Sequence, residues 1–333
     1  MVSLRVYIIR RILLAIPMIL ILTGIVFVVM RVAGDPVSAT IGLHAPPAQI
    51  ERLKERLGLN KPLYIQYLDY ILQLLRGNLG RSMIWGERPV LTEILEHLPA
   101  TLELSIWAFT LSVLIGIFTG VFSARKHRKA TDHAFRLYGI VTYALFIPWI
   151  GLILQLVFGV YLGWLPISGR GMKPQTITGL YVLDSILTLD IYSLVSSLRH
   201  LVLPTVTLGI YLSGIFTRLT RSNMLEVLGK DYIRAARARG LSERTVIYKH
   251  ALKNAFIPIL TMMGLQFAAL LGGAVLTETT FSWMGMGRFL FERISYRDFT
   301  TVQGTIVFFA LFIVIISLIV DVIYVYIDPR IRY

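Results

Sequence analysis

The chain has 333 residues, of which 56% are apolar and 16% are charged, and its mean hydropathy is +0.69. A water-soluble domain of this length carries about 25% charged residues, so the composition excludes that class. The formal net charge is +14. In so apolar a chain we interpret this charge as a sign of membrane topology and predict no nucleic-acid partner. The sequence contains no cysteine, which excludes disulfides and thiolate metal sites.

Six apolar segments are candidates to cross a lipid bilayer, whose hydrocarbon takes about 20 residues of helix. Lipid offers the backbone no other hydrogen-bond partner, so the predicted fold class is an all-α polytopic membrane protein with six transmembrane helices. The predicted spans are 12–30, 98–124, 138–162, 201–216, 255–276 and 301–327. We expect the first to be an uncleaved anchor, because it exceeds a signal-peptide core and Arg31 follows it where small residues would mark cleavage.

The charges between these segments predict their orientation. With both termini cytoplasmic, the inner segments hold nineteen Lys and Arg residues against five acidic ones, whereas the outer segments hold fourteen against twelve. The opposite topology would contradict the positive-inside rule. We therefore predict a multi-pass protein of the cell membrane with an anchor helix over 1–30, an extracytoplasmic helical insert over 31–97 and a five-helix core over 98–333.

The extracytoplasmic insert contains two predicted helices. Gly58 ends the first, over 48–57, and Gly77 ends the second, over 63–76. The second helix carries an apolar stripe at helical spacing, made of Tyr64, Tyr67, Leu68, Ile71, Leu72 and Leu75. Two interpretations are open: the stripe packs the insert onto the bundle, or it receives a protein that delivers substrate.

A later outer segment, 277–303, concentrates aromatic residues around two glycines and can fold back into a cavity. One interpretation is that these aromatic residues are interface anchors. The other is that the segment gates the outer mouth or touches a ligand. The candidate gate or substrate contacts are Glu278, Phe281, Trp283, Met284 and, in the fifth span, Gln266. Gln155 and Gln266 are also typical of packing hydrogen bonds between helices.

The spans themselves carry little chemistry. Their only carboxylates are Glu103 and Asp321, both near a span end, which argues against a proton-coupled carrier. The sequence has no G-x-x-x-x-G-K-[ST], no H-E-x-x-H and no G-x-S-x-G motif, so we predict no catalytic residue, no metal site and no cofactor in this chain. Small residues at a spacing of four predict close helix contacts, at Gly116 with Gly120 and at Gly209 with Ser213.

The segment 218–258 is the most informative part of the sequence. Asp231 favours a helix start by its charge, an alanine-rich run propagates the helix, and Gly240 can adopt the left-handed conformation that ends it. Ser242 with Glu243 opens a second helix, and Pro258 is predicted to begin the next one. The pattern predicts an elbow of two helices on the cytoplasmic surface. One interpretation is that this elbow binds a partner protein. The alternative is that its arginines bind the anionic inner leaflet.

The elbow and seven further motifs resemble the permeases of ABC importers. Ala235, Ala236 and Gly240 match the EAA coupling loop, and Arg234 replaces its Glu, as is usual in the dipeptide and oligopeptide branch. That branch typically has DYIRTARAKGL where this chain has DYIRAARARGL. The other matches are GDP at 34–36, LGLNKPLYIQY from Leu57, GNLGRS from Gly77, LPATLELS from Leu98, LRHLVLPTVTLG from Leu198, TETTFSWMGMGRF from Thr277 and DPRIR from Asp328.

The resemblance implies a permease subunit of an ATP-driven importer of dipeptides and oligopeptides. Its implied partners are a second permease, two subunits that bind ATP and magnesium, an external substrate-binding protein and the lipid bilayer. The implied ATPase-coupling residues are Asp231, Tyr232, Ile233, Arg234, Ala235, Ala236, Arg237, Ala238, Arg239, Gly240 and Leu241. Alternative cargoes for the same machinery are short oligosaccharides, such as β-linked glucosides, and nickel complexes. Outside the family, the alternatives are a channel and an intramembrane enzyme.

Overall fold

The computed structural model describes residues 4–33, 51, 60–84, 86–272 and 274–327. Of the predicted helix over 48–57, the structure describes only residue 51. Gly273 and the DPRIR motif lie outside the described residues. The helices within them are α1 (Leu4–Ala33), α2 (Leu63–Leu75), α3 (Val90–Arg125), α4 (Ala130–Ala144), α5 (Ile147–Tyr161), α6 (Tyr181–Leu187), α7 (Ile191–Leu228), α8 (Asp231–Ala238), α9 (Glu243–Leu271), α10 (Val275–Thr280), α11 (Met286–Ser295) and α12 (Phe299–Ile327). The all-α prediction is confirmed.

Five helices of the described residues are long and apolar enough to cross a membrane, namely α1, α3, α7, α9 and α12. The pair α4 and α5 reaches the length of a crossing only together, and it is bent by 102°. Leu145 and Phe146 at the bend have extended backbone. The predicted span over 138–162 is therefore not one continuous helix. Pro148 explains the break, because it has no N–H for the Ala144 carbonyl and its ring would clash there.

Several helix boundaries differ from the predicted spans. α3 begins at Val90 rather than at residue 98, and α7 covers 38 residues where 201–216 was predicted. The second arm of the elbow does not end at Pro258, because α9 continues through it to Leu271. Ala255 and Ile259 beside the proline are buried. Packing on both sides thus stabilises the helix at Pro258, where one backbone hydrogen bond is missing.

The centre of the bundle is the contact between α3 and α7. Gly116 faces Phe216 and Gly120 faces Thr220, and a Cβ at either glycine would overlap these residues. The predicted Gly116–Gly120 contact is therefore made within this chain. Because the contacting residues follow the same order along both helices, α3 and α7 run parallel.

Helix α2 of the insert packs on α1. The Tyr67 hydroxyl donates to the Leu20 carbonyl at 2.8 Å, and its ring lies 5.4 Å from that of Phe27. Gly77 ends α2 with a φ of +75°, as predicted. Four residues of the predicted apolar stripe are exposed, however: Tyr64, Leu68, Leu72 and Leu75. Tyr67, which makes these contacts, belongs to the stripe, so the stripe packs the insert onto α1 only in part.

Candidate functional site

Helix α8 is the first arm of the elbow, at the end of the bundle that carries most of the basic residues. It begins at Asp231, and the chain turns at Gly240, whose φ is +78°. The Gly240 N–H donates to the Arg237 carbonyl at 2.9 Å, and the Leu241 N–H donates to the Ala236 carbonyl at 3.4 Å. These two bonds form a Schellman motif. The predicted helix with a left-handed glycine stop is confirmed.

The second arm begins where the sequence predicts. Ser242 Oγ accepts the N–H of Thr245 at 3.4 Å, and α9 starts at Glu243. Arg237 Nε donates to Glu243 Oε1 at 2.8 Å, which joins the two arms across Gly240. Both side chains are about half exposed, so this ion pair contributes at most about 1 kcal/mol. The glycine turn, rather than the ion pair, therefore fixes the angle of the elbow.

Two residues of α8 seat the elbow on the bundle. Ile233 and Ala236 are 0% and 2% exposed and lie three positions apart, on one face of the helix. They belong to an apolar cluster that also contains Val121 and Ala124 of α3, Met224 of α7, and Val246, Ile247, Ala251 and Ala255 of α9. We call this cluster the elbow seat. The seat thus joins α8 to the three long helices α3, α7 and α9.

The other predicted coupling residues lie on the outside of the elbow. The exposed members are Asp231, Tyr232, Arg234, Ala235, Arg237, Ala238, Arg239, Gly240 and Leu241. Arg234 approaches Asp231 at 3.2 Å, with both side chains more than 70% exposed. The elbow thus presents a polar and basic surface away from the bundle, which is the arrangement that a docking helix requires.

A buried carboxylate that the sequence analysis missed joins three helices near the elbow. Asp132 of α4 is 1% exposed and accepts hydrogen bonds from Arg221 of α7, with Nε at 2.6 Å and Nη2 at 2.9 Å. It also accepts from Ser123 Oγ of α3 at 2.6 Å. No local pattern indicates this pair, because its members are 89 positions apart. The charge-assisted bonds fasten α3, α4 and α7 together at this end.

Glu278 occupies the opposite end of the bundle and is completely buried. Its Oε1 accepts the Thr101 hydroxyl at 2.7 Å, and its Oε2 accepts the Arg288 backbone N–H at 2.9 Å. Arg288 lies in the first turn of α11, so the carboxylate caps the positive end of that helix. The hypothesis that Glu278 contacts substrate is not supported by this geometry, because the carboxylate has no exposed surface and its oxygens are engaged.

The structure brings Phe281 and Trp283 together with Glu278. Each aromatic residue is 1% exposed, and Trp283 Nε1 donates to the Ala100 carbonyl at 2.8 Å. They hold the segment that links α10 and α11 onto the bundle and are neither interface anchors nor open substrate contacts. Met284 is 53% exposed and stays a candidate contact. Gln266 is half-buried on α9, where its Nε2 faces Met262 Sδ at 3.8 Å.

The burial of Glu278 predicts a dependence of stability on pH. Burial raises the pKa of this carboxyl above its ordinary value of 4.5, against the opposing effect of hydrogen bonds from Thr101 and two backbone N–H groups. Because the pKa of Glu278 is raised in the folded state, the contribution of this residue to the free energy of unfolding is complete below pH 4.5. That contribution is lost as the pH rises through the folded-state pKa. We expect Glu278→Gln to flatten the pH dependence of the melting temperature as the pH rises above 4.5.

The measurement is the melting temperature of the purified protein across this pH range. Glu292→Gln is the matched control, because Glu292 is half exposed and pairs with the side chain of Arg288 at 2.8 Å. We expect its pH profile to follow that of the wild type. Superimposable profiles for Glu278→Gln and the wild type would contradict the prediction.

Glu103, one of the two carboxylates predicted inside the spans, binds an arginine from the loop between α5 and α6. Arg170 Nη2 lies 2.6 Å from Glu103 Oε2, and both side chains are at most 9% exposed. The other oxygen of Glu103 accepts the Val182 N–H at 2.7 Å, at the start of α6. Arg293 of α11 makes a similar buried pair with Glu93 of α3 at 2.8 Å. These pairs fasten the α5–α6 loop and α11 to α3.

Neither end of the bundle shows the arrangement of a metal site within the residues that the structure describes. No group of three or more His, Asp or Glu residues there is placed to hold a metal ion. The buried carboxylates instead face arginines, hydroxyls or backbone N–H groups that join helices. The predicted lack of a cofactor in this chain stays a prediction.

Known proteins match nearly the whole chain. The family described as the binding-protein-dependent transport system inner membrane component matches residues 113–333, and the N-terminal part of such membrane components matches residues 4–105. The dipeptide transport system permease protein DppB of Alkalihalophilus pseudofirmus is 44% identical over 331 residues, which cover 98% of this chain and 99% of that protein. The di/tripeptide transport system permease protein DppB of Pseudomonas aeruginosa is 43% identical over 334 residues, which cover 98% of each chain. A solved structure of the MetNI methionine ABC transporter, in inward-facing conformations, matches with a TM-score of 0.49 and 14% identity over 72% of this chain and 96% of that one.

Proposed function

We propose a peptide-transport function for this chain, which belongs to the family of inner-membrane components of binding-protein-dependent transport systems. It is a multi-pass permease subunit and not itself an enzyme. Its pore is formed with a second, similar permease, and its cargo is dipeptides and short oligopeptides delivered by an external binding protein. Separate ATPase subunits, two per complex, bind ATP and magnesium. Relatives named for dipeptide and tripeptide transport, at 44% and 43% identity over 98% of the chain, support peptides over oligosaccharides or nickel complexes.

The elbow is the observation that carries the mechanism. Its exposed face offers Arg234 and Arg237 to a partner, while Ile233 and Ala236 bind it to the bundle. Attraction to anionic lipid alone would require neither the glycine turn nor the elbow seat. The coupling residues 231–241 therefore dock into a groove of an ATPase subunit.

The proposed orientation places the elbow and both termini in the cytoplasm. The excess of basic residues in the segments on that side supports it, including the nine Lys and Arg residues from Arg218 to Lys253. This arrangement is required if a cytoplasmic ATPase is to reach α8.

ATP-driven closure of the two ATPase subunits would move α8, and the elbow seat would pass that movement to α3, α7 and α9. The result is a rigid-body switch between inward-facing and outward-facing states. The segment from α10 to α11, held by Glu278 and Trp283, packs on α3 and, at Gly151, on α5. Opening the pore to the outside would require that segment to move with the bundle.

The test is ATP hydrolysis by the chain purified with its co-expressed neighbours and reconstituted in lipid. We expect an ATPase to copurify and its activity to rise when a peptide-loaded binding protein is added. The same binding protein without peptide is the control. Stimulation by short glycans instead of peptides would overturn the proposed cargo, and the lack of any copurifying ATPase would favour a channel or an intramembrane enzyme.

A further inference from the structure

Helix α2 is an apolar helix that is too short to cross a membrane. It has 13 residues with Asp69 as its only charge, whereas a crossing needs about 20. An apolar stretch of this length is typical of a buried core helix or of a segment in the membrane interface. Burial in a core is excluded, because four apolar side chains at a spacing of three or four residues are each more than half exposed: Tyr64, Leu68, Leu72 and Leu75. We call these four residues the exposed stripe.

The residues of α2 divide into three faces, about 120° apart around the helix axis. Tyr67 and Tyr70 lie on the face that packs on α1, and the exposed stripe forms the second face. The third face is polar and carries Asp69 and Gln73, four residues apart. Asp69 binds Lys61 at 2.6 Å, and both of these side chains are about half exposed. An apolar and a polar surface on one short helix are what a position at the boundary between lipid and water requires.

The contacts of α2 place it beside the apolar part of α1, residues 13–31, which is long enough to cross a membrane. The Tyr67 hydroxyl donates to the Leu20 carbonyl at 2.8 Å. The rings of Tyr67 and Tyr70 lie 5.4 and 6.0 Å from the ring of Phe27. Phe27 and Leu20 lie four and eleven residues inside the end of this range, or about 6 and 16 Å along the helix. Helix α2 therefore packs against the span itself and does not lie beyond its end.

The exposed stripe continues an exposed apolar surface of α1 in the same stretch of that helix. Ile21, Ile25 and Val28 of α1 are each more than half exposed. Ile21 and Val28 directly follow the two residues that contact Tyr67. In a multi-pass membrane protein, such a surface on an apolar span faces the lipid. Because α2 packs onto α1 beside this surface, the same lipid reaches the exposed stripe.

We propose that α2 lies in the membrane interface, with the exposed stripe among lipid acyl chains and the face of Asp69 and Gln73 toward water. The leaflet is the one at the Arg31 end of α1, which the proposed orientation makes the outer leaflet. Acyl chains remove the four apolar side chains from water at all times, whereas a substrate-delivery protein would do so only while it is bound. The inference depends on the membrane location of the chain and not on its proposed cargo.

Spin labels on single cysteines test this placement, because the chain has no cysteine of its own. The complete complex is labelled at Leu68→Cys or Leu72→Cys and reconstituted in vesicles of phosphatidylethanolamine and phosphatidylglycerol, without binding protein. Gln73→Cys on the polar face of α2 is the aqueous control, and Ile25→Cys on α1 is the lipid control. The unsubstituted complex gives the background from cysteines of the other subunits. The measurement is the relaxation of each label by oxygen, which concentrates in lipid, and by a water-soluble nickel chelate.

We expect the labels at Leu68 and Leu72 to match the label at Ile25, with strong relaxation by oxygen and loss of the effect of the nickel chelate. The label at Gln73 should show the reverse, because its face of the helix points toward water. All four positions are exposed or lie on an exposed face, so the label requires no rearrangement of the protein.

Two outcomes would overturn the inference. Strong relaxation of the Leu68 and Leu72 labels by the nickel chelate would place the exposed stripe in water, as a landing surface for a delivery protein requires. Weak relaxation by both reagents would mean that protein covers the stripe, either another part of this chain or a second permease. Because neither cargo nor ATP is added, a failure of the proposed transport function would leave these results unchanged.

Discussion

Replacement of Gly240 by valine is expected to lower peptide uptake at least about tenfold while ATP hydrolysis continues and the protein still inserts into the membrane. Gly240 has a φ of +78°, which costs an L-residue about 1–2 kcal/mol and a β-branched one more. A Cβ at this position meets nothing within 4 Å, so the effect arises from backbone strain and not from a clash. Relief of the strain would change the angle between α8 and α9 and so misplace the docking surface. The measurement is the ratio of peptide transported to ATP hydrolysed by the reconstituted complex.

Gly77 provides a matched control for this substitution. It ends α2 with a φ of +75°, and a Cβ there also meets nothing within 4 Å. Its N–H donates to Leu74 at 2.9 Å and that of Asn78 donates to Gln73 at 3.0 Å, the same two bonds as at the elbow. Gly77→Val should cost similar backbone energy yet leave coupling intact. Normal coupling in Gly240→Val, or equal uncoupling in both variants, would contradict the role of the elbow.

The elbow could be predicted from sequence because its determinants are local. A charge at the first turn, an alanine-rich run and a glycine at the stop each act within about four residues of the backbone that they control. Asp231, Gly240 and Ser242 accordingly lie where the pattern placed them. The resemblance to permeases depended on the same local motifs, and the family comparison bears it out.

Long-range pairs could not be predicted in this way. Arg170 with Glu103 and Arg221 with Asp132 join residues 67 and 89 positions apart, and many other arginines were available to each carboxylate. The same reasoning applies to the hypothesis that Glu278 contacts substrate. The sequence shows a charge near the end of a span, but whether that charge meets a ligand or caps a helix depends on Thr101 and α11, which only the fold brings to it.

The helix boundaries illustrate a further limit. Hydropathy predicts where apolar residues cross the lipid bilayer. A helix, however, continues as long as its backbone N–H and C=O groups stay hydrogen-bonded to each other. α7 therefore extends from Ile191 to Leu228, and α9 passes through Pro258. The break between α4 and α5 is the opposite case, since a largely apolar segment is interrupted at Leu145 and Phe146, just before Pro148. Proline ends a helix only when packing does not hold the flanking turns, and packing is not encoded locally.

Substitution of Asp132 by alanine is expected to lower the free energy of unfolding by about 3 kcal/mol or more, because it leaves Arg221 largely buried without its carboxylate. The Arg221 side chain is 18% exposed and that of Asp132 is 1% exposed, so water replaces the lost bonds only in part. Uptake should fall as well, since the pair fastens α4 to α7 beside the elbow seat. The measurements are the melting temperature in detergent and peptide uptake per ATP.

The double variant Asp132→Ala with Arg221→Met tests whether the unpaired charge of Arg221, rather than the loss of the ion pair itself, causes the destabilisation. It should be more stable than Asp132→Ala alone, because an apolar side chain in that place leaves no unpaired charge. Glu226→Ala removes a carboxylate from an exposed pair with Lys230, whose side chains are 68% and 52% exposed, and should leave the melting temperature unchanged. The prediction would be contradicted if Asp132→Ala had the melting temperature of the wild type while Glu226→Ala did not, because burial would then not explain the strength of the Asp132 contact. In that case the three helices must be held at the basic end by apolar contacts between them, such as that of the Phe122 ring of α3 with the Phe135 ring of α4.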